Sequence, residues 1–171
     1  NPEKVQLYNG GKYDTKKYIK LFANDKAGKA GRSTWYLTTL DNIPENKELV
    51  SEWQVTVSSA NAGGQKRDNQ IAIIDNNSAF ARSRLALKSF KTKEEAENFF
   101  EYATSKFIEY AFLLTDENLS SLAKRVPDIG DYKSSTSLID FTSNIDEQLY
   151  SLLGLTEDEI EHIEETLTNL R

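Results

Sequence analysis

The chain predicts an α+β fold: a mostly antiparallel twisted sheet backed by a long helix, with a carboxyl-terminal helical segment. Three observations lead there. The first ninety residues hold short aromatic and β-branched runs bounded by Gly, Asn, Asp and Pro, the pattern of strands and turns. From Thr92 the apolar spacing changes to alternating fours and threes, the period of a helix. The last third is acidic and carries a second helix-start signal. Length and composition agree: 171 residues, 38% hydrophobic and 28% charged, make a folded domain able to bury a core.

The strand candidates are Trp35–Leu40, Leu49–Val57, Ile71–Ile74 and a last one beginning at Leu85–Leu87. In the second, Trp53, Val55 and Val57 share one face, because side chains alternate with period two. Two long polar connections, Ala23–Arg32 and Ser58–Gln70, interrupt them. Loops of that size in a compact domain are functional or disordered.

Thr92-Lys93-Glu94-Glu95 is a capping box, in which Thr92 accepts from the Glu95 amide. Ala96, Phe100, Ala103, Phe107, Tyr110 and Leu114 then form a stripe that Phe99 and Ala111 widen. A single core helix over Thr92–Leu114 is expected. Thr115-Asp116 should end it and cap a shorter helix reaching Arg125, which Pro127 stops. Gly130–Thr142 reads as a connector, and Asp146–Leu153 as a short helix with Gly154 closing it. Thr156-Glu157-Asp158-Glu159 is a second capping box, opening a helix with Ile160, Ile163, Leu167 and Leu170 on one face. The expected division is a domain over 1–130 and a helical segment over 131–171.

Cys is absent, so disulfides and thiolate metal sites are excluded. No apolar run approaches the roughly 18 residues of a membrane span, and no signal peptide is visible. No membrane partner and a cytoplasmic location are expected. The chain begins at Asn1 and holds no Met, so a piece of a larger polypeptide is expected.

Net charge is −6, unevenly spread. Residues 1–93 hold 16 Lys/Arg against 9 Asp/Glu, a balance of +7, and residues 94–171 hold 5 against 18, a balance of −13. Phosphate binding needs only a local positive field, although the same charges also make an ordinary solvated surface.

The strongest binding candidate is the Ser58–Arg67 loop (SSANAGGQKR). Its glycines permit close backbone approach. Asn61 and Gln65 match adenine edges, while Lys66 and Arg67 match phosphate or guanine. Ser58 opens the loop. The same loop also reads as a solubilising surface hairpin. Arg82, Arg84 and Lys88 recur at even spacing and, if extended, share one strand face opposite Leu85 and Leu87. Such a face suits a phosphate backbone or plain solvent. Lys26, Lys29 and Arg32 lie among Gly28 and Gly31 but form no P-loop.

Catalytic signals are poor. His162 stands alone in an acidic helix. Asp41 with Glu45-Asn46-Lys47 has too short a spacing for a nuclease D…ExK metal site, and Pro44 interrupts it. No HExxH, GxSxG or GxGxxG occurs. The catalytic and metal assignments are therefore none.

Residues 50–165 resemble the target-recognition end of adenine-specific DNA methyltransferases from type II restriction-modification systems, including fused restriction-methylase enzymes. Elements in a shared order carry the resemblance. They are the Trp53–Val57 strand running into Ala-Asn-Ala-Gly-Gly, a second strand, the basic segment Ala81–Leu87, the element Phe90-Lys91-Thr92-Lys93-Glu94-Glu95-Ala96-Glu97-Asn98, the segment Val126-Pro127-Asp128, and the tail Ile139–Glu164 (IDFTSNIDEQLYSLLGLTEDEIEHIE). The family's tail often carries Asp-Trp where Asp140-Phe141 stands. The family's Asn-Pro-Pro-aromatic motif is not matched by Asn1-Pro2, so no catalytic residue carries over. Recognition residues vary with the DNA target, so no base assignment carries over either.

The resemblance implies a DNA sequence-recognition domain with double-stranded DNA as partner. A methyltransferase or endonuclease core of the same polypeptide would be the second partner. No cofactor is implied for this segment; S-adenosylmethionine, with Mg as a second candidate, belongs to the parent enzyme. A specificity subunit without catalysis would share these features. The alternative is a protein-interaction module using the acidic carboxyl-terminal helices against a basic partner.

Overall fold

The computed structural model describes residues 4–24, 33–58, 71–81, 84–114 and 126–170. The fold is α+β, with two sheets where the sequence suggested one. The strands are β1 (Gln6–Leu7), β2 (Ile19–Asn24), β3 (Ser33–Thr38), β4 (Trp53–Ser58), β5 (Ile71–Ile74), β6 (Ser78–Phe80) and β7 (Arg84–Phe90). The first sheet runs β1-β3-β2-β6 and the second β5-β4-β7. All pairings are antiparallel except β2 with β6.

The second sheet has two distinct faces. Val55 and Val57 are fully buried on the face that Trp53 shares. Against this sheet packs α1 (Lys93–Ala103), burying Ala96, Phe99, Tyr102 and Ala103. The opposite face carries Gln54, Thr56, Ser58 and Arg84, all buried. Arg84 there lies against Phe22 of the first sheet. The first sheet has its own core of Ile19, Leu21, Tyr36, Val50 and Ala79.

Thr92 caps α1 as its sequence requires, accepting from the Glu95 amide at 3.3 Å. Its hydroxyl also donates to the Glu95 carboxylate at 2.8 Å. The single long helix, however, is two. α1 ends at Ala103, and α2 (Lys106–Leu113) restarts with Ser105 accepting from the Ile108 amide at 3.4 Å. Thr104 and Ser105 explain the break: the Thr104 hydroxyl turns back to the Phe100 carbonyl at 2.7 Å, and Ser105 adopts extended backbone as a cap. The turn redirects α2 onto α3 (Ile145–Leu152) and α4 (Glu157–Asn169).

Gly154 closes α3 at φ +63°. Its amide donates to the Ser151 carbonyl at 3.1 Å, and the Leu155 amide donates to the Tyr150 carbonyl at 3.0 Å, the paired bonds of a Schellman turn. Thr156 then caps α4 through the Glu159 amide at 3.2 Å. Ile163 and Leu167 are buried with Tyr150 and Ile160 packs against them, but Leu170 stands exposed beyond the last turn. The connector before α3 is core rather than linker: Tyr132, Ile139 and Phe141 join Val55, Phe90 and Phe99 in one cluster.

Candidate nucleic-acid interface

Ser58 and Arg84 face each other across β4 and β7. Both are buried, at 3% and 2% exposure, so neither offers atoms to a duplex on the outside. The Arg84 guanidinium lies 4.4 Å from the centre of the Phe22 ring, and its Nε donates to Thr56 Oγ1 at 3.1 Å. Burial pushes the guanidinium down to about 10, still charged at neutral pH.

The expected basic face of β7 does not form. Opposite Val55 stands Lys88, but opposite the next residue, Thr56, stands Ala86. Leu87 is therefore an extra residue, a β-bulge, and it reverses the alternation beyond it. Arg84 faces the first sheet, whereas Lys88 lies on the helix side with Phe90. Arg82 lies outside the described residues, as do Lys26, Lys29, Arg32, Asn61, Gln65, Lys66 and Arg67.

The described ends that flank those residues nonetheless converge. Asn24 pairs with Ser33, Val57 with Ile71, and Ser58 with Arg84. Phe22 pairs with Phe80, and the Ala81 amide donates to the Phe22 carbonyl at 2.9 Å. Arg84 on the Phe22 ring joins the two sheets at this end. The three chain departures, after Asn24, Ser58 and Ala81, thus leave from one end of a packed β scaffold.

Lys88 is half-buried and held in place. Its ammonium contacts the Asp128 carboxylate at 2.5 Å. Asp128 also accepts from the Tyr132 hydroxyl and the Gly130 amide, each at 2.8 Å. Lys88 first, then the Gly130 amide, hold the Asp128 carboxyl down to about 2. The same hydroxyl accepts from the Ile129 amide at 3.2 Å. Burial and the neighbouring Asp128 push the Tyr132 phenol well above the ordinary tyrosine range. Asp128 thereby has a definite role in the Val126-Pro127-Asp128 segment: it ties β7 to the ring that centres the core. Sequence reasoning missed this network, and an Asp after Pro was its one visible trace.

The cleft beside β7, about 480 Å³, mixes Lys88, Lys91 and Lys133 with Glu52, Glu95 and Asp131. Its charges balance, so it is no phosphate pocket. A second cleft of about 580 Å³ lies between Ile43–Val50 and the Ala79–Ala86 region, mostly apolar, with Gln54 and Arg84 in its wall. Of Asp41, Glu45 and Lys47, it takes Glu45 alone. Among the described residues, no group of three or more His, Asp or Glu is placed to hold a metal ion. His162 is exposed on α4, edge-on to Tyr110 at 5.9 Å.

The acidic residues gather on the helices. Glu157, Glu161, Glu164 and Glu165 line an exposed groove along α4, with Lys106 bridging to Glu164 at 3.2 Å. Among the described residues, no helix is long and apolar enough to cross a membrane. The chain matches no known protein family, no curated protein and no solved structure.

Proposed function

We propose that this chain recognises DNA sequence for a type II restriction-modification enzyme, as the target-recognition region of an adenine-specific methyltransferase. The observation that carries the reading is the convergence of the three chain departures at one end of the two sheets. The segments that leave there contain Lys26, Lys29, Arg32, Asn61, Gln65, Lys66, Arg67 and Arg82. Polar, basic loops on a rigid scaffold are how many folds present binding residues. In this reading Lys66 and Arg67 hold phosphates, and Asn61 and Gln65 read base edges. The acidic residues of α4 line a groove on a helix that packs on α2.

The chemistry would come from a methyltransferase core in the same polypeptide, using S-adenosylmethionine on a flipped adenine. That core, the cleaving activity of a fused enzyme and a cytoplasmic location all belong to the proposal.

The test is duplex binding by fluorescence anisotropy across salt concentration. Lys66→Ala with Arg67→Ala should reduce the salt slope by about 1.8, at roughly 0.9 per phosphate contact. An unchanged slope would remove this loop as a phosphate contact.

A further inference from the structure

We infer a second, sequence-independent contact for the DNA backbone at the opposite end of β2, built from Lys12, Lys16 and Lys17. The inference rests on the DNA-recognition reading and adds a surface that the resemblance did not indicate.

The three lysines are exposed and project from an anchored turn. Asp14 organises it: its side chain accepts from the Lys16 amide at 3.0 Å, and its carbonyl accepts from the Lys17 and Tyr18 amides at 3.1 and 2.9 Å. Asn77 holds the turn to the β5–β6 connection, donating to the Tyr13 hydroxyl at 2.8 Å and to the Tyr18 carbonyl at 3.3 Å. The Tyr8 and Tyr13 rings meet edge to face at 5.4 Å, and the Tyr8 hydroxyl donates to the Gly11 carbonyl at 2.8 Å. These bonds hold the backbone that carries the cations, which lowers the ordering cost of binding.

Asp75 and Asp14 each have hydrogen-bond partners, Asp14 within the turn itself. Asp75 accepts from the Lys20 ammonium, and from the Ser78 hydroxyl at 2.7 Å. Asp14 caps its own turn. Among the described residues, none of Lys12, Lys16 and Lys17 is in an ion pair. Exposed cations beside half-buried tyrosines suit a polyanion approached from solvent.

Geometry relates this turn to the loop end. β2 has six residues. At roughly 3.3 Å per residue its ends lie about 17 Å apart. B-DNA repeats every ~34 Å, so the span is about half a turn. A duplex lying along β2 would meet the recognition loops at one end and this lysine turn at the other. Contacts there touch phosphates only, so they would add affinity without choosing sequence.

The experiment measures binding of a random-sequence 30-base-pair duplex by the full-length protein, as wild type and as Lys12→Ala/Lys16→Ala/Lys17→Ala, between ~50 and ~200 mM salt. Losing three phosphate contacts should lower the salt slope by about 2.7. The wild-type advantage should then shrink about 40-fold over that range. Equal slopes, with wild type still binding, overturn the lysine contact and leave the DNA-recognition reading in place. No duplex binding by wild type overturns both. Loss of binding to anionic phospholipid vesicles in the variant, with duplex slopes equal, assigns the lysines to another anion and overturns the contact as well. The lysines are exposed, so the variant should melt as wild type does.

Discussion

Two buried tyrosines give opposite expectations for the same chemical change. Tyr132, 1% exposed, has a hydroxyl with two partners: it donates to Asp128 at 2.8 Å and accepts from the Ile129 amide at 3.2 Å. Tyr150, 5% exposed, has a buried hydroxyl with no hydrogen-bond partner among the described residues. Replacing either with Phe removes one oxygen and keeps the ring. In Tyr132→Phe the Ile129 amide loses its acceptor and Asp128 loses one of its donors. Bonds to charged groups contribute about 1.5–3 kcal/mol. Asp128 is half exposed, so water recovers part of this, leaving a loss of about 1–2 kcal/mol. In Tyr150→Phe no bond is lost and an unsatisfied buried hydroxyl is removed, so the change should be neutral or stabilising by up to ~1 kcal/mol. At 171 residues each kcal/mol moves Tm by roughly 2–4 °C. Tyr132→Phe should therefore melt about 2–8 °C lower, and Tyr150→Phe at or a few degrees above wild type. Urea unfolding and calorimetry on both variants measure this. Equal destabilisation by the two substitutions would refute hydrogen-bond satisfaction as the distinguishing cause.

Arg84→Ala should lower stability by about 3 kcal/mol, from the desolvated cation–ring contact and the Thr56 bond; a surface phosphate contact would instead leave the melting curve unchanged. Asp128 is held at about 2, below its ordinary carboxyl range. Its contribution is complete above pH ~4 and is lost as pH falls toward 2. After screening of this exposed group it amounts to at most about 1 kcal/mol, and Asp128→Asn should abolish that part of the acid sensitivity in urea titrations. Gly154→Ala should cost about 1 kcal/mol by forcing a side chain onto φ +63°, read as a lower urea midpoint.

The helix starts were legible because a capping box is local. Thr92 with Glu95, and Thr156 with Glu159, need only four consecutive residues. The break at Thr104-Ser105 was not, since the apolar spacing continues across it while the hydroxyls divert the backbone. β2 and β6 escaped notice: Lys20 and Asn24 interrupt a short apolar run in one, and the other has three residues. Without β2, Phe22 had no place, and Arg84 read as an outward charge instead of one stacked on that ring. The bulge at Leu87 exists only in the pairing of β7 with β4. No count along β7 alone separates the faces of Arg84 and Lys88. For the candidate interface, the sequence named the residues of the loops, and the register of the flanking strands supplied their common point of departure.

The most direct test of DNA-sequence recognition is a methylation map. The full-length gene is expressed in a methylation-free host, and its DNA is sequenced with modification-sensitive reads. DNA-sequence recognition by this chain predicts N6-methyladenine at one defined motif, and a different motif when residues 50–91 are exchanged for those of another specificity. No new methylation from the well-expressed protein would contradict it and favour an interaction module built on the acidic α4 groove.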